Sequence, residues 1–194
     1  MPRNRLLRPI EPPVDPPARW TDLQLPSYRH VPGLTPHPIR SQEGHSPGGM
    51  RVDIGNHLAD FPHSWSDCPA YLFGVDLFNL RYYWEAHESW EEVWNAVGHK
   101  TRPGRMLQGM IQVAAALLKR HMESATGAAS NFRKACRHFD AIELERNSVD
   151  ADWTTYLGVP LRRWRLQLAA YLASPEARHP DLILDLDQSA RRLD

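Results

Sequence analysis

The sequence predicts an all-α fold on three observations. From about residue 67 onward, apolar side chains recur three and four positions apart, as one face of a helix requires. No segment alternates apolar and polar residues over a strand's length. Eleven of the 17 prolines fall in the first fifty residues, where a fixed φ and a missing N–H exclude helix and central strand. The expected organisation is a proline-rich, extended N-terminal arm with loops over residues 1–66, a helical domain over 67–174 and a C-terminal tail over 175–194. The body reads as a compact antiparallel array of about five helices.

Each element follows from its residues. Within the arm, Trp20, Leu23, Leu25, Tyr28, Val31, Leu34 and Ile39 supply enough apolar surface for residues 23–46 to lie on the body as a wrapping strap. The first fifteen or so residues read as loose, and residues 47–66 as loop with short turns. Asp67 is placed to cap a helix with Pro69 in its first turn, continuing through Tyr71, Leu72, Val75 and Phe78. A break is expected at 79–82, with Asn79 taking the left-handed turn. The second helix covers 83–97 and ends at Gly98. The third starts near Pro103 and runs to Met122. The fourth starts near Ser124 and carries Phe132, Ala135, Phe139, Ile142 and Leu144. After a loop at 147–158, a fifth begins at Pro160, carries Leu161, Trp164, Leu168, Tyr171 and Leu172, and ends before Pro175. Leu182, Ile183, Leu184 and Leu186 of the tail suit a strand-like end piece or a turn of helix. Around the third helix, Met106, Leu107, Met110, Ile111, Val113, Ala114, Leu117 and Leu118 leave only Gln108, Gln112 and Lys119 as a polar stripe, so it is a buried central helix. Each buried glutamine then needs a partner, or costs roughly 1–3 kcal/mol.

Lys+Arg and Asp+Glu both number 23, for a formal net charge of +0. That balance gives no global attraction to nucleic acid or to an anionic membrane, and neither is an expected partner. No stretch approaches the ~20 apolar residues of a membrane span, and the first residues lack the apolar run of a signal peptide. Cys68 and Cys136, far apart and in no ligand spacing, read as reduced thiols, which places the protein in the cytoplasm.

The chemistry concentrates in Trp84-Glu85-Ala86-His87-Glu88-Ser89-Trp90-Glu91-Glu92-Val93-Trp94. At ~100° per residue, Tyr82, Ala86, Trp90, Val93 and Val97 form the apolar face, with Glu85, Glu88 and Glu92 opposite as a solvated face. His87 and Glu91 share a flank with Leu80, Trp84 and Trp94. One turn apart, they project to the same spot and can chelate one divalent metal such as zinc. Glu88 then resembles the general base of the His-Glu-x-x-His pattern of zinc hydrolases, with glutamate in the second ligand position. The arm offers a third ligand, His37 or His45, with His30 as a further candidate. His87, Glu88 and Glu91 would form a polar pocket against Gln108 and Gln112, with Glu85, Trp84 and Trp90 as further lining; as a set, Trp84, Trp90 and Trp94 read as core and interface pieces rather than a base-stacking platform. His99, His121, His138 and His179 have no partners at ligand spacing and read as surface residues. No Gly-rich phosphate loop, nucleophile elbow or Cys/His metal framework occurs.

The same residues carry a family resemblance. The run from Leu77-Phe78-Asn79 through Tyr83-Trp84-Glu85-Ala86-His87-Glu88-Ser89-Trp90-Glu91, followed by Leu107-Gln108-Gly109-Met110-Ile111-Gln112, resembles the DUF309 proteins. Their pattern reads Phe-Asn-x-Gly-x-Tyr-x-Glu-x-His-Glu-x-Trp-Glu, then Gln-Gly-x-Ile-Gln-x-Ala, and Leu80 is taken to stand where a small residue is usual. The arm segment His30-Val31-Pro32-Gly33-Leu34-Thr35-Pro36-His37-Pro38, with Gly44-His45-Ser46, resembles a lead-in of longer members. The resemblance implies a tetratricopeptide-like first hairpin, a predicted metal-dependent hydrolase activity, and Glu85, His87, Glu88, Glu91, Gln108 and Gln112 as positions of interest. Two functions stay open. One is hydrolysis of an unknown small molecule or protein at a metal held by His87 and Glu91. The other is a non-catalytic module in which the His/Glu/Trp cluster is a structural brace and the protein binds another protein, or a second copy as a homodimer.

Overall fold

Prolines mark most of the helix starts. In the computed structural model, which describes residues 7–49, 52, 60–144, 155–174 and 176–185, Pro62, Pro69 and Pro103 stand in the first turns of α1 (Phe61–Ser64), α2 (Pro69–Asn79) and α4 (Arg102–His121). There the missing N–H is no loss. Pro160 directly precedes α6 (Leu161–Ala173). Between them lie α3 (Tyr83–Val97) and α5 (Ala125–Leu144), giving six helices among the described residues, one more than the expected five. The extra one is the short α1 with a 3-10 turn at Trp65–Asp67, inside the stretch read as loop; Phe61 and Trp65 bury there. No strand occurs among the described residues, only an isolated bridge between Tyr156 and Val159.

The third long element of the sequence, α4, is the centre as expected. It packs between α3 and α5, and α2 packs on α3. Met106, Leu107, Met110, Val113 and Ala114 are fully buried. Thr101 caps it, its Oγ1 accepting the Gly104 N–H at 3.0 Å. Two glycines let the layers close up: a Cβ on Gly74 would stand 2.2 Å from Trp90 Nε1, and one on Gly109 would stand 2.2 Å from Phe139 Cε1.

The turn joining α2 to α3 departs from expectation. Asn79 remains helical, and the left-handed residue is Arg81, at φ 65°. Aligning Phe78-Asn79 with the Phe-Asn-x-Gly pattern puts the glycine at Arg81, not Leu80, which agrees with the backbone. Asn79 is instead buried and works through its side chain: its Nδ2 donates to the Leu182 carbonyl at 3.2 Å, and its Oδ1 accepts the Leu182 N–H at 2.7 Å. The tail is thereby held extended, with Leu182 and Leu184 buried and Ile183 outward. Leu186 and most of the 147–158 loop lie outside the described residues. Asp67 caps nothing; Cys68 occupies the cap position of α2, without a side-chain bond.

Residues 7–49 contain neither helix nor strand, yet polar side chains of the helices hold them closely. Asp76, buried in α2, accepts the Trp20 and Thr21 N–H groups at 2.7 and 2.9 Å and the Thr21 hydroxyl at 2.7 Å. Tyr82 Oη donates to the Pro26 carbonyl, and Arg29 Nε to the Leu80 carbonyl. The contact begins earlier than the sequence suggested: Ile10 is buried, Arg81 reaches the Glu11 carbonyl and His121 the Arg8 carbonyl.

No helix among the described residues is long and apolar enough to cross a membrane. The left-handed Arg81 generates a prediction. Arg81→Gly should relieve backbone strain of about 1 kcal/mol and raise the melting temperature by roughly 2–4 °C, measured by differential scanning calorimetry; an equal or lower melting temperature would mean that the Arg81–Glu11 contact outweighs the strain.

Candidate functional site

Helix α3 is buried on two sides. A helical wheel assumes a single buried face, so it places Glu85 opposite Trp90 and in solvent. The structure corrects this: Glu85 is 0% exposed, because the N-terminal segment covers the side that α2 and α4 leave open. Its Oε1 accepts the His30 N–H at 2.8 Å and contacts His45 Nε2 at 2.9 Å, while Oε2 is buried without a partner. His45 is itself buried at its side chain and bonds Ser46 Oγ through Nδ1. Gly44 sets it there by close approach. A Cβ at Gly44 would stand 2.1 Å from the Pro38 carbonyl, in the turn where Ser46 N–H also bonds that carbonyl.

The neighbouring residues of the motif also turn inward. Ser89 Oγ donates to the Ala70 carbonyl at 2.8 Å, and Trp90 Nε1 to the Tyr71 carbonyl at 3.1 Å. Trp90 is therefore core rather than pocket wall. Trp84 is half-buried and meets the rings of His30 and His37 edge-on, at 5.2 and 5.5 Å between centroids. His37 Nδ1 accepts the Ile39 and Arg40 N–H groups. Burial pushes the His30 imidazole below its ordinary value; Glu85 pulls the other way and His37 adds to the depression.

His87, Glu88 and Glu91 face outward together, 29%, 22% and 41% exposed at their side chains. His87 Nδ1 lies 3.4 Å from Glu88 Oε1, and His87 Nε2 lies 3.8 Å from Glu91 Oε2. One ligand atom from each of the three lies within 4.8 Å of the others, and among the described residues no other group of three His, Cys, Asp or Glu does so. The third member is thus Glu88, and neither His37 nor His45 joins it. One imidazole and two carboxylates, all partly exposed, could hold a divalent cation, and the 3.8 Å gap is within the span of two metal–ligand bonds of about 2.1 Å. Gln108 and Gln112 are half-buried on α4. No hydrogen bond among the described residues links either to His87 or Glu91, and Gln112 Oε1 is buried without a partner.

Sequence reasoning passed over two other polar clusters. Asp76, in the middle of an apolar helix, carried a signal: a lone carboxylate there must be satisfied by something outside the helix. His179, expected at the surface, is packed: its Nδ1 bonds Asp181 at 2.8 Å and its Nε2 bonds Tyr83 Oη at 3.0 Å. Burial raises the Tyr83 hydroxyl far above its ordinary value, so it stays protonated. His99 stacks on Trp94 at 3.8 Å. His138 is half-buried, and burial, Arg105 and Arg137 hold its imidazole low.

A family model described as a domain of unknown function, DUF309, matches residues 71–131. No curated protein matches this chain. The matched stretch runs from α2 into α5 and includes Glu85, His87, Glu88, Glu91, Gln108 and Gln112. His30 and His45, which hold Glu85, lie outside it.

Two measurements follow. Glu85→Ala should cost about 3–5 kcal/mol in urea denaturation, since it strands the His30 amide and the buried His45, whereas isosteric Glu85→Gln should cost less; equal, small losses would show the pair to be dispensable. The lowered His30 value means that the unfolded chain binds a proton more readily than the folded one, so stability should fall as pH drops below 6.5. His30→Gln should flatten that slope in urea midpoints followed from pH 7.5 downward, and an unchanged slope would assign it to other groups.

Proposed function

We propose that this protein binds one divalent cation through His87, Glu88 and Glu91 and uses it in hydrolysis. The observation that carries this reading is the convergence of three ligand atoms within 4.8 Å on the half-exposed flank of one helix. In this arrangement His87 Nε2 and Glu91 Oε2, 3.8 Å apart, would hold the ion, with one carboxylate oxygen of Glu88 as the third ligand. A bound divalent ion supplies Lewis acidity and a water more acidic than bulk. The remaining oxygen of Glu88 would accept the proton of an attacking water. The open side of the cluster leaves room for a substrate group, either of a small molecule or of a protein.

A second reading is a non-catalytic helical module that binds another protein or a second copy of itself. It is favoured by how much of the motif is committed inward, with Glu85, Ser89 and Trp90 all bonded to neighbouring segments. Here too the exposed acids and His87 face the partner, and no metal is needed.

Equilibrium dialysis of untagged protein against Zn2+ and against Mn2+, followed by elemental analysis, separates them. About one ion per chain is expected for the wild type and below about a tenth for His87→Ala, at unchanged circular dichroism; a wild type below a tenth removes the hydrolase reading and leaves the module.

A further inference from the structure

Helix α3 turns Ala86, Trp90 and Val93 to the core and carries a second stripe on its outer flank. Trp84, His87, Glu91 and Trp94 follow one another at intervals of three, four and three residues, the spacing of a seam along which two helices meet. All four are only partly buried. The stripe is also symmetric in shape and in chemistry. Its midpoint falls at the level of Ser89, and reversing the helix exchanges the two tryptophans and sets the histidine where the glutamate stood. Two copies of α3 laid antiparallel about a twofold axis at that level therefore place Trp84 against the partner's Trp94 and His87 against the partner's Glu91. A twofold contact has to be self-complementary in this way. Aromatic anchors at both ends, with imidazole against carboxylate between them, suit such a contact.

Charge decides when the two copies can meet. Each brings Glu88 and Glu91 to the seam, so four carboxylates face two imidazoles, and like charges at close range repel. A divalent cation on each His87, Glu88 and Glu91 group offsets them. Three ligand atoms from one helix flank also leave the fourth position of a tetrahedral ion open, and the partner's Glu91, opposite His87, has a second oxygen to fill it. We infer that two copies of this chain pair through the outer flanks of α3, antiparallel, when each carries its cation. The pairing rests on the cation binding proposed above and regulates the same site: the pair is its occluded form, and the single copy its open form.

Sedimentation velocity of the untagged full chain, in EDTA and with one equivalent of Zn2+, reads the pairing, and elemental analysis of the same samples counts the ion. A single-copy species is expected in EDTA and one of twice that mass with Zn2+, with nothing larger, because a twofold contact closes on itself. Two variants outside the ligand set isolate the seam. Trp94→Ala removes an anchor, and Asn95→Glu, at an exposed position that serves should Trp94→Ala fold poorly, adds a carboxylate beside it. Each should keep the wild-type ion content and dimerise at least about tenfold more weakly. A wild type that takes up its ion yet stays single overturns the pairing and leaves the cation site standing. An equal dimer in EDTA, larger assemblies, or a Zn2+ dimer that neither variant weakens overturns it as well. Protein that neither binds the ion nor pairs removes both the pairing and the cation site.

Discussion

A carboxylate with no access to water governs how this molecule is assembled. Glu85 sits at 0% exposure in the first turns of α3, and a carboxyl group buried like that is tolerable only with partners supplied. The helical body does not supply them. Both come from the N-terminal segment, as the His30 amide and the His45 imidazole. Asp76 repeats the arrangement one helix earlier, on the Trp20 and Thr21 amides. Two acids on consecutive helices thus require that an irregular, proline-containing chain lie along them, and α3 cannot present its first turn to solvent while they are satisfied.

This requirement divides one short motif between two tasks. Glu85, Ser89 and Trp90 bond to neighbouring backbone or to His45 and fix the orientation of α3. His87, Glu88 and Glu91 are left on the partly exposed flank of the helix. The division is a consequence of helical geometry: residues two positions apart point about 200° away from each other, so a carboxylate forced inward at 85 turns 87 outward. The inward half of the motif therefore braces the helix whether or not the outward half holds an ion.

Much of the fold was legible because its signals are local. Prolines in first turns, the Gly98 stop and the apolar girth of α4 each act within one element. Glu85 was misplaced by the wheel because its burial comes from chain some forty to fifty-five residues away, which no periodicity records; only the family resemblance drew attention to it. Asn79 was misread for a similar reason. Its amide is spent on Leu182, 103 residues on, so the left-handed turn passes to Arg81. The convergence of His87 with Glu91 was legible from their one-turn spacing. That Glu88 rather than a histidine of the segment completes the group was not, since His45 is already engaged by Glu85 and His37 Nδ1 by two backbone amides.

The most direct test of this division is thermal melting of three proteins, wild type, Glu85→Gln and His87→Ala, each with and without added Zn2+. Ligand that binds only the native state raises the melting temperature in proportion to its affinity. Separate tasks require that Glu85→Gln melt lower than wild type yet keep its metal-induced rise, and that His87→Ala melt like the wild type yet lose the rise. A rise that vanishes in Glu85→Gln and persists in His87→Ala would contradict the account.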